Sequence, residues 1–181
     1  MATTILLERP DTPDARYLIE ELEAHLAPLY PQKSRHGYSV DKLLAQGVAF
    51  FVTRVDGVPA ACGGVQLFGT DYAELKRMYV RPAFRGLGLA KAILERLVEH
   101  ARSHGAGALR LETGIHQGPA IGLYESWGFS SIGPFGEYRP DPLSRFYEMR
   151  VAAGLRAGRA VPIERSSKLD AKVTETRPRG V

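Results

Sequence analysis

The spacing of apolar residues alternates along the chain between two periods, one typical of strands and one typical of helices. Short β-rich runs predict strands at 3–8, 73–80, 108–113, 129–133 and 145–151, and a further strand on each side of Asp56-Gly57. Apolar residues three or four positions apart predict helices at about 12–28, 39–47, 88–104 and 119–127. Asp-Gly between two apolar runs favours a tight hairpin, because both turn residues need a positive φ. This order predicts an α/β fold, in which helices cover both faces of a mixed, mostly antiparallel central sheet.

The helix predicted at 88–104 is the most clearly amphipathic segment of the chain. Its apolar positions form one wide face, and its charged positions point away from that face. The apolar positions are Leu89, Ile93, Leu94, Leu97, Val98 and Ala101, and the charged ones are Lys91, Glu95, Glu99 and Arg102. We therefore expect this helix to pack on the sheet through its apolar face.

The periodic pattern stops after residue 151, which predicts one domain at 1–151 and a flexible tail at 152–181. The tail has seven Lys or Arg residues and three Asp or Glu residues, and it accounts for the whole net charge of +4. The domain has 17 residues of each sign. Because the domain is neutral and the tail contains no aromatic residue, we expect no nucleic-acid partner.

Several classes of protein and site are disfavoured by composition. No run approaches the ~20 apolar residues that span a bilayer, and the first residues lack a secretory signal, so we expect a cytoplasmic protein without a membrane partner. The only cysteine, Cys62, lies in the small-residue run AACGG and is interpreted as core filler rather than a nucleophile. His100 and His104 have a spacing that can bind metal but lack an H-E-x-x-H motif, so we interpret them as surface residues and expect no metal.

The segment RPAFRGLGLAKAIL, residues 81–94, predicts an anion site. A glycine in the first turn of a helix costs roughly 1 kcal/mol relative to alanine, but it leaves the outward-pointing N–H groups accessible to a phosphate. Arg85 adds a full positive charge beside them. The alternative is that Gly86 and Gly88 only shape a tight start of the helix. The segment has no G-x-x-x-x-G-K-[ST] string, and Lys91 stands where the dinucleotide motif G-x-G-x-x-G requires its third glycine.

Two motifs make residues 3–151 resemble the GCN5-related N-acetyltransferase (GNAT) family. The family's R/Q-x-x-G-x-G/A motif, between a strand and a long helix, is matched from Arg85 to Ala90. Its second motif, N-x-x-A-x-x-L-Y-x-x-x-G-F, is matched about 30 residues later by QGPAIGLYESWGF, with Gln117 in place of the asparagine. The resemblance implies the GNAT-type fold.

The resemblance also implies acetyl-CoA as the co-substrate. The glycine loop would hold its pyrophosphate, and the backbone of Met78 and Val80 would pair with its pantetheine arm like an added strand. The implied cofactor-binding residues are Met78, Tyr79, Val80, Arg85, Gly86, Leu87, Gly88, Leu89, Ala90, Lys91 and Gln117.

Acetyl transfer to an amine requires a deprotonated nucleophile, stabilisation of an oxyanion and a proton for the departing thiolate. The resemblance implies that Tyr124 is the acid, with a packing role as the alternative, and that a backbone N–H near Met78 meets the oxyanion. Glu74 is the predicted base, acting directly or through water, although it could equally be a solvated strand residue. Glu112 is the second candidate, and it could instead bind the substrate ammonium group.

In this family the first helices and the last hairpin form the acceptor pocket, here around 30–38 and 135–138. The polar and aromatic residues there suit a small amino-acid-like amine: Arg35, Tyr38, Phe135, Glu137, Tyr138 and Arg139. The expected enzyme is an acetyl-CoA-dependent N-acetyltransferase, monomeric or homodimeric, that acts on such an amine by direct transfer. Three alternatives are a non-catalytic acyl-CoA-binding module, a protein or peptide acetyltransferase, and a nucleotide-binding enzyme.

Overall fold

The computed structural model of the chain describes residues 1–151, so the predicted tail lies outside the described residues. The strands are β1 (Thr3–Glu8), β2 (Ala49–Val55), β3 (Val58–Phe68), β4 (Tyr72–Val80), β5 (Ala108–Gly114), β6 (Ser130–Ile132) and β7 (Ser144–Arg150). The helices are α1 (Pro13–Leu26), α2 (Val40–Ala45), α3 (Leu89–Ser103) and α4 (Gly118–Ser126), with 3₁₀ turns at Gln32–Ser34 and Pro82–Phe84.

These strands form one sheet in the order β1-β2-β3-β4-β5-β7-β6. Every pair of neighbours is antiparallel except β4 and β5, which run parallel. The predicted fold class is confirmed. The Asp56-Gly57 hairpin between β2 and β3 is also confirmed, since both residues have a positive φ.

The helices cover the two faces of the sheet in pairs. α3 and α4 pack on one face, against residues such as Phe51, Val65 and Leu109. α1 and α2 pack on the other face, against residues such as Phe50 and Val52, which alternate with Phe51 along β2. The predicted apolar face of α3 is the face that is buried. No helix within residues 1–151 is long and apolar enough to cross a membrane.

Two irregularities in the centre of the sheet determine where a cavity can form. A bulge in β4 leaves Arg77 and Met78 outside the register with β3, and Arg77 takes a left-handed conformation with a φ of 55°. β4 and β5 pair only at Ala73–Leu109 and Glu74–Arg110. Beyond those two pairs the parallel strands no longer bond to each other, so a gap opens between their following residues.

Candidate active site

The glycine loop before α3 presents a row of free backbone donors. Gly86 and Gly88 have φ angles of 82° and 77°, and no atom lies within 4 Å of a Cβ built on either residue. The N–H groups of residues 86–91 donate to no acceptor among the described residues. The first turn of α3 also has no acidic side chain. Because free N–H groups and the positive end of a helix dipole favour an anion, this loop fits a diphosphate group.

A cavity of about 130 Å³ lies in the gap between β4 and β5. Its wall includes Met78 from the β4 bulge, Glu112 from β5, and both Gln117 and Tyr124 from the second motif. The Tyr124 hydroxyl lies 3.5 Å from the Met78 sulfur. Burial raises the pKa of Tyr124, so the hydroxyl is held in its protonated form. The structure therefore brings four of the predicted site residues to one place.

A second cavity, of about 660 Å³, adjoins the first on the face of the sheet that carries α1 and α2. Arg35, His36, Gly37 and Lys76 line both cavities, so the two lie side by side along these residues. The second cavity is lined by six residues that the sequence assigned to the acceptor pocket or to catalysis: Arg35, Tyr38, Glu74, Glu137, Tyr138 and Arg139.

Glu74 is a buried member of a hydrogen-bonded cluster rather than a solvated strand residue, and it is 3% exposed. Its Oε1 atom accepts from Lys76 Nζ at 2.5 Å and from the Tyr138 hydroxyl at 2.5 Å. Lys76 also donates to Tyr138 at 3.0 Å, and its ammonium lies 4.1 Å from the centre of the Tyr38 ring. Burial lowers the pKa of Lys76 and raises that of Tyr138. The alternative of a solvated Glu74 is wrong, because the cluster removes its carboxylate from bulk water.

Glu112 occupies a different environment on the opposite side of the gap. The Ser144 hydroxyl donates to its Oε1 at 2.7 Å, and no basic side chain within residues 1–151 forms an ion pair with it. Burial raises the pKa of Glu112 above its usual range. A carboxylate with a raised pKa is the stronger base, provided that it is ionised at the working pH.

Arg77 connects the β4 bulge to the loop between α1 and α2. Its side chain is 4% exposed, its Nε donates to the Tyr38 carbonyl at 2.8 Å, and it pairs with Glu23 on α1. Its guanidinium fills the space that a Cβ at Gly37 would need. The loop that lines both cavities is thus fixed to the bulge that presents Met78.

We expect Gly37→Ala to lower the free energy of unfolding by about 1–3 kcal/mol, because the new methyl group displaces the Arg77 guanidinium from its partners. The measurement is urea unfolding. In an Arg77→Met background the same change should cost much less, since the obstructing group is gone. Equal costs in the two backgrounds would show that Arg77 does not explain the glycine.

Some predicted site residues lie in the core instead of the cavities. Phe135 is buried against Tyr72, Tyr138 and Phe146, and it lines neither of the two cavities. Phe135 therefore packs against the Tyr138 ring and supports its position. Leu89 and Tyr79 are also buried, which leaves mainly their backbone groups for a cofactor.

The structure also corrects the interpretation of one histidine and explains the cysteine. His100 is half-buried with its ring 5.6 Å from that of Phe51, whereas His104 is exposed as expected. Cys62 is fully buried, and burial raises its thiol pKa to about 12, which disfavours a nucleophilic thiolate. Within residues 1–151, no group of three His, Cys, Asp or Glu side chains could hold a metal ion.

Lys76 and Gln66 both line the second cavity but are not among the residues predicted from the sequence. Lys76 follows Glu74 by two positions in a predicted strand, and this spacing places both side chains on one face. That signal could have identified the pair. Gln66 had no comparable signal, because its position opposite Glu74 depends on the pairing of β3 with β4.

Residues 15–129 match the model of the Acetyltransferase (GNAT) family. The chain belongs to the GNAT acetyltransferase family. It is 42% identical over 146 residues to a protein of Azospirillum brasilense named IAA acetyltransferase, an alignment that covers 80% of this chain and 95% of that relative. The family and the enzyme class predicted from the two motifs are therefore confirmed.

Solved structures agree with this assignment. A Klebsiella pneumoniae protein assigned as an acyl-CoA N-acyltransferase is 34% identical and superposes with a TM-score of 0.71, covering 82% of this GNAT chain and 97% of that chain. The Salmonella typhimurium protein YncA, solved with its cofactor acetyl-CoA, superposes with a TM-score of 0.63 over 90% of this chain and all of its own. YncA is only 20% identical, so its likeness shows the fold alone.

Proposed function

We propose that this GNAT enzyme transfers the acetyl group of acetyl-CoA directly to the amino group of a small, amino-acid-like molecule. The observation that carries the proposal is that the two cavities share lining residues, so that Tyr124 and Met78 in the gap lie next to a second cavity, lined by Glu74, that would hold the acceptor. The relative named IAA acetyltransferase supports a small molecule as the acceptor. A cytoplasmic location and a monomeric or homodimeric state stay predictions.

The glycine loop and the gap fit two successive parts of acetyl-CoA, the diphosphate and the pantetheine arm. The free N–H groups of residues 86–91 and the Arg85 side chain would hold the diphosphate. The β4 edge that faces the gap, from Met78 to Val80, would pair with the pantetheine arm. When bound, acetyl-CoA supplies an activated acyl group and a thiolate leaving group.

The residues around the gap supply the acid and an oxyanion donor. Tyr124 is protonated and buried beside Met78, where its hydroxyl can donate a proton or a hydrogen bond to the departing sulfur. The bulge takes the Met78 backbone out of register with β3, and its N–H is our candidate donor to the developing oxyanion.

Two carboxylates are candidates for the base, and their contacts favour Glu112. Glu112 lies in the cavity that contains Tyr124, and its pKa is raised. The Oε1 atom of Glu74, the first choice from the sequence, already accepts from Lys76 and Tyr138, which leaves it less free to bind the proton of an incoming amine. Glu74 precedes Met78 by four residues along β4, so it would act only through a chain of several waters.

A screen of amines with acetyl-CoA, monitored by release of free thiol, tests the proposed function. We expect thiol release with a subset of small primary amines, and thermal stabilisation of the protein by acetyl-CoA but not by NAD or ATP. Stabilisation by acetyl-CoA without thiol release from any amine or peptide would favour the non-catalytic module. Release with peptides alone would favour a peptide acetyltransferase.

Gly88→Ala is expected to raise the KM for acetyl-CoA about tenfold, because a Cβ at a positive φ distorts the loop and obstructs the approach of the diphosphate. Steady-state kinetics measure the effect. Gly57→Ala is the matched control, since Gly57 also has a positive φ and open space but lies in the β2–β3 turn. The control should lose similar stability with an unchanged KM. An equal rise of KM in both variants would contradict a binding role for the loop.

A further inference from the structure

Gln66 has a buried hydrogen-bond acceptor in the wall of the second cavity. Its side chain is 5% exposed and stands on β3 directly opposite Glu74 on β4. Its Nε2 donates to Gln46 Oε1 at 3.2 Å, but its Oε1 has no partner among the described residues. A buried polar atom without a partner is costly and rare, so its presence in the wall of a ligand-sized cavity calls for an explanation.

Gln66 lies at a distance from the site where acetyl transfer would occur. Gln66 follows Gly63, the residue opposite the bulge, by three positions, so at about 3.3 Å per strand residue it lies on the order of 10 Å along the sheet from the bulge. It also lines the second cavity but not the first. It therefore faces the end of an acceptor molecule that is remote from the reacting amine.

The charges around Gln66 indicate which kind of group it faces. Five Lys or Arg side chains line the cavity against three Asp or Glu side chains. Glu74, opposite Gln66, already forms an ion pair with the buried ammonium of Lys76. A second cation at Gln66 would thus be buried without a counter-charge, which is strongly unfavourable. A neutral donor, such as a hydroxyl or an amide N–H, would satisfy the carbonyl without that penalty.

We propose that Gln66 is a specificity-determining residue that accepts a hydrogen bond from a neutral donor at the far end of the acceptor amine. The acceptor class is then an amine that bears a remote hydroxyl or amide group. This inference rests on the proposed function, since it assigns the second cavity to the acceptor.

The test compares two series of acceptors by thiol release with the full-length enzyme. One series contains linear ω-amino alcohols of increasing length, and the other contains the alkylamines in which a methyl group replaces the hydroxyl. For the amino alcohol of best length we expect kcat/KM to exceed that of its alkylamine by about three- to tenfold. No preference at any length would overturn the inference. No transfer to any amine in a broad screen would instead overturn the proposed function, and this inference with it.

The decisive variant is Gln66→Met, which keeps the size of the side chain and removes its acceptor. We expect it to abolish or reverse the preference for the amino alcohol, with little change in the KM for acetyl-CoA and in thermal stability. Thr53→Val is the matched control, because the Thr53 hydroxyl is also buried and unpartnered but lines neither of the two cavities. It should keep the preference of the wild type. Gln66→Leu provides a second variant if the methionine protein is unstable, and a preference retained in a folded Gln66 variant refutes the assignment.

Discussion

Tyr124→Phe is expected to lower kcat about 10²- to 10³-fold while the KM for acetyl-CoA changes by less than about twofold. The substitution removes one hydroxyl, which lies 3.5 Å from the Met78 sulfur in the gap between β4 and β5. The ring should stay in place, because it packs edge-on against Phe129 at 5.6 Å. The variant therefore loses the proton donor and retains the shape of the cavity. Steady-state kinetics with saturating amine measure the two constants.

The pH dependence of kcat gives a second readout of the same residue. Burial raises the pKa of Tyr124 above its ordinary value of about 10. An acid is active while it is protonated, so a raised pKa extends its active range upward. The wild-type rate should accordingly show no decline from loss of this proton between neutral pH and about pH 10. A decline near neutral pH that disappears in Tyr124→Phe would contradict the raised pKa.

Tyr147→Phe is the control for the loss of a buried tyrosine hydroxyl. Tyr147 is 4% exposed in the same core cluster, but its hydroxyl donates to Glu125 at 3.0 Å and it lines neither of the two cavities. We expect its kcat to stay within about twofold of the wild type. If Tyr147→Phe lost as much activity as Tyr124→Phe, packing would explain both effects. An unchanged kcat in Tyr124→Phe would remove Tyr124 from the acid role.

Local patterns in the sequence predict most of the secondary structure. α3 was predicted at 88–104 and is observed at Leu89–Ser103, with all six predicted apolar residues buried. The apolar pattern predicts this helix well because the residues that form one helix face lie within a few turns of each other in the sequence. Where tertiary pairing sets the length of an element, the prediction is less accurate, as in β6, which has three residues instead of the five predicted at 129–133.

The opening between β4 and β5 has no local signature, and neither do the contacts that depend on it. Both strands look continuous in the sequence, yet they share only two pairs. The left-handed conformation of Arg77 is equally unexpected for a residue with a Cβ, and its bonds to the Tyr38 carbonyl and to Glu23 on α1 help to hold it. Motifs could therefore identify Tyr124 and the glycine loop, and strand spacing could have identified the Glu74–Lys76 pair, but only the folded chain shows that Gln66 lines a cavity.

Glu74→Gln and Glu112→Gln are expected to change stability in opposite directions. Glu74 and Lys76 form a buried ion pair at 2.5 Å, with side chains 4% and 6% exposed. Removing only the carboxylate leaves the ammonium buried without a counter-charge, which costs about 3–5 kcal/mol in comparable pairs. Urea unfolding measures the loss.

Glu112 should behave differently because the fold disfavours its charged form. Its pKa is raised in the folded state, so its contribution to stability is present below the unfolded pKa of about 4.3 and is lost as the pH rises through the raised value. At neutral pH the carboxylate is a net cost, and a neutral glutamine that still accepts from Ser144 removes that cost. At pH 7 the free energy of unfolding of Glu112→Gln should thus be at least that of the wild type. In acid, where the wild-type carboxyl is protonated, this advantage of the variant should disappear.

Activity then distinguishes the base from its neighbours. If Glu112 takes the proton, Glu112→Gln lowers kcat/KM by about 10²-fold or more in a stable protein and removes the acidic limb of the pH profile. The double variant Glu74→Gln/Lys76→Met provides the control for Glu74, since it eliminates both buried charges and should recover much of the stability lost in Glu74→Gln. Recovery of activity along with stability would show that the Glu74–Lys76 pair acts by holding the cavity wall in place. The base would instead be Glu74 if the double variant were stable but inactive while Glu112→Gln stayed active. The loss of activity in the double variant could then be attributed to chemistry rather than to unfolding.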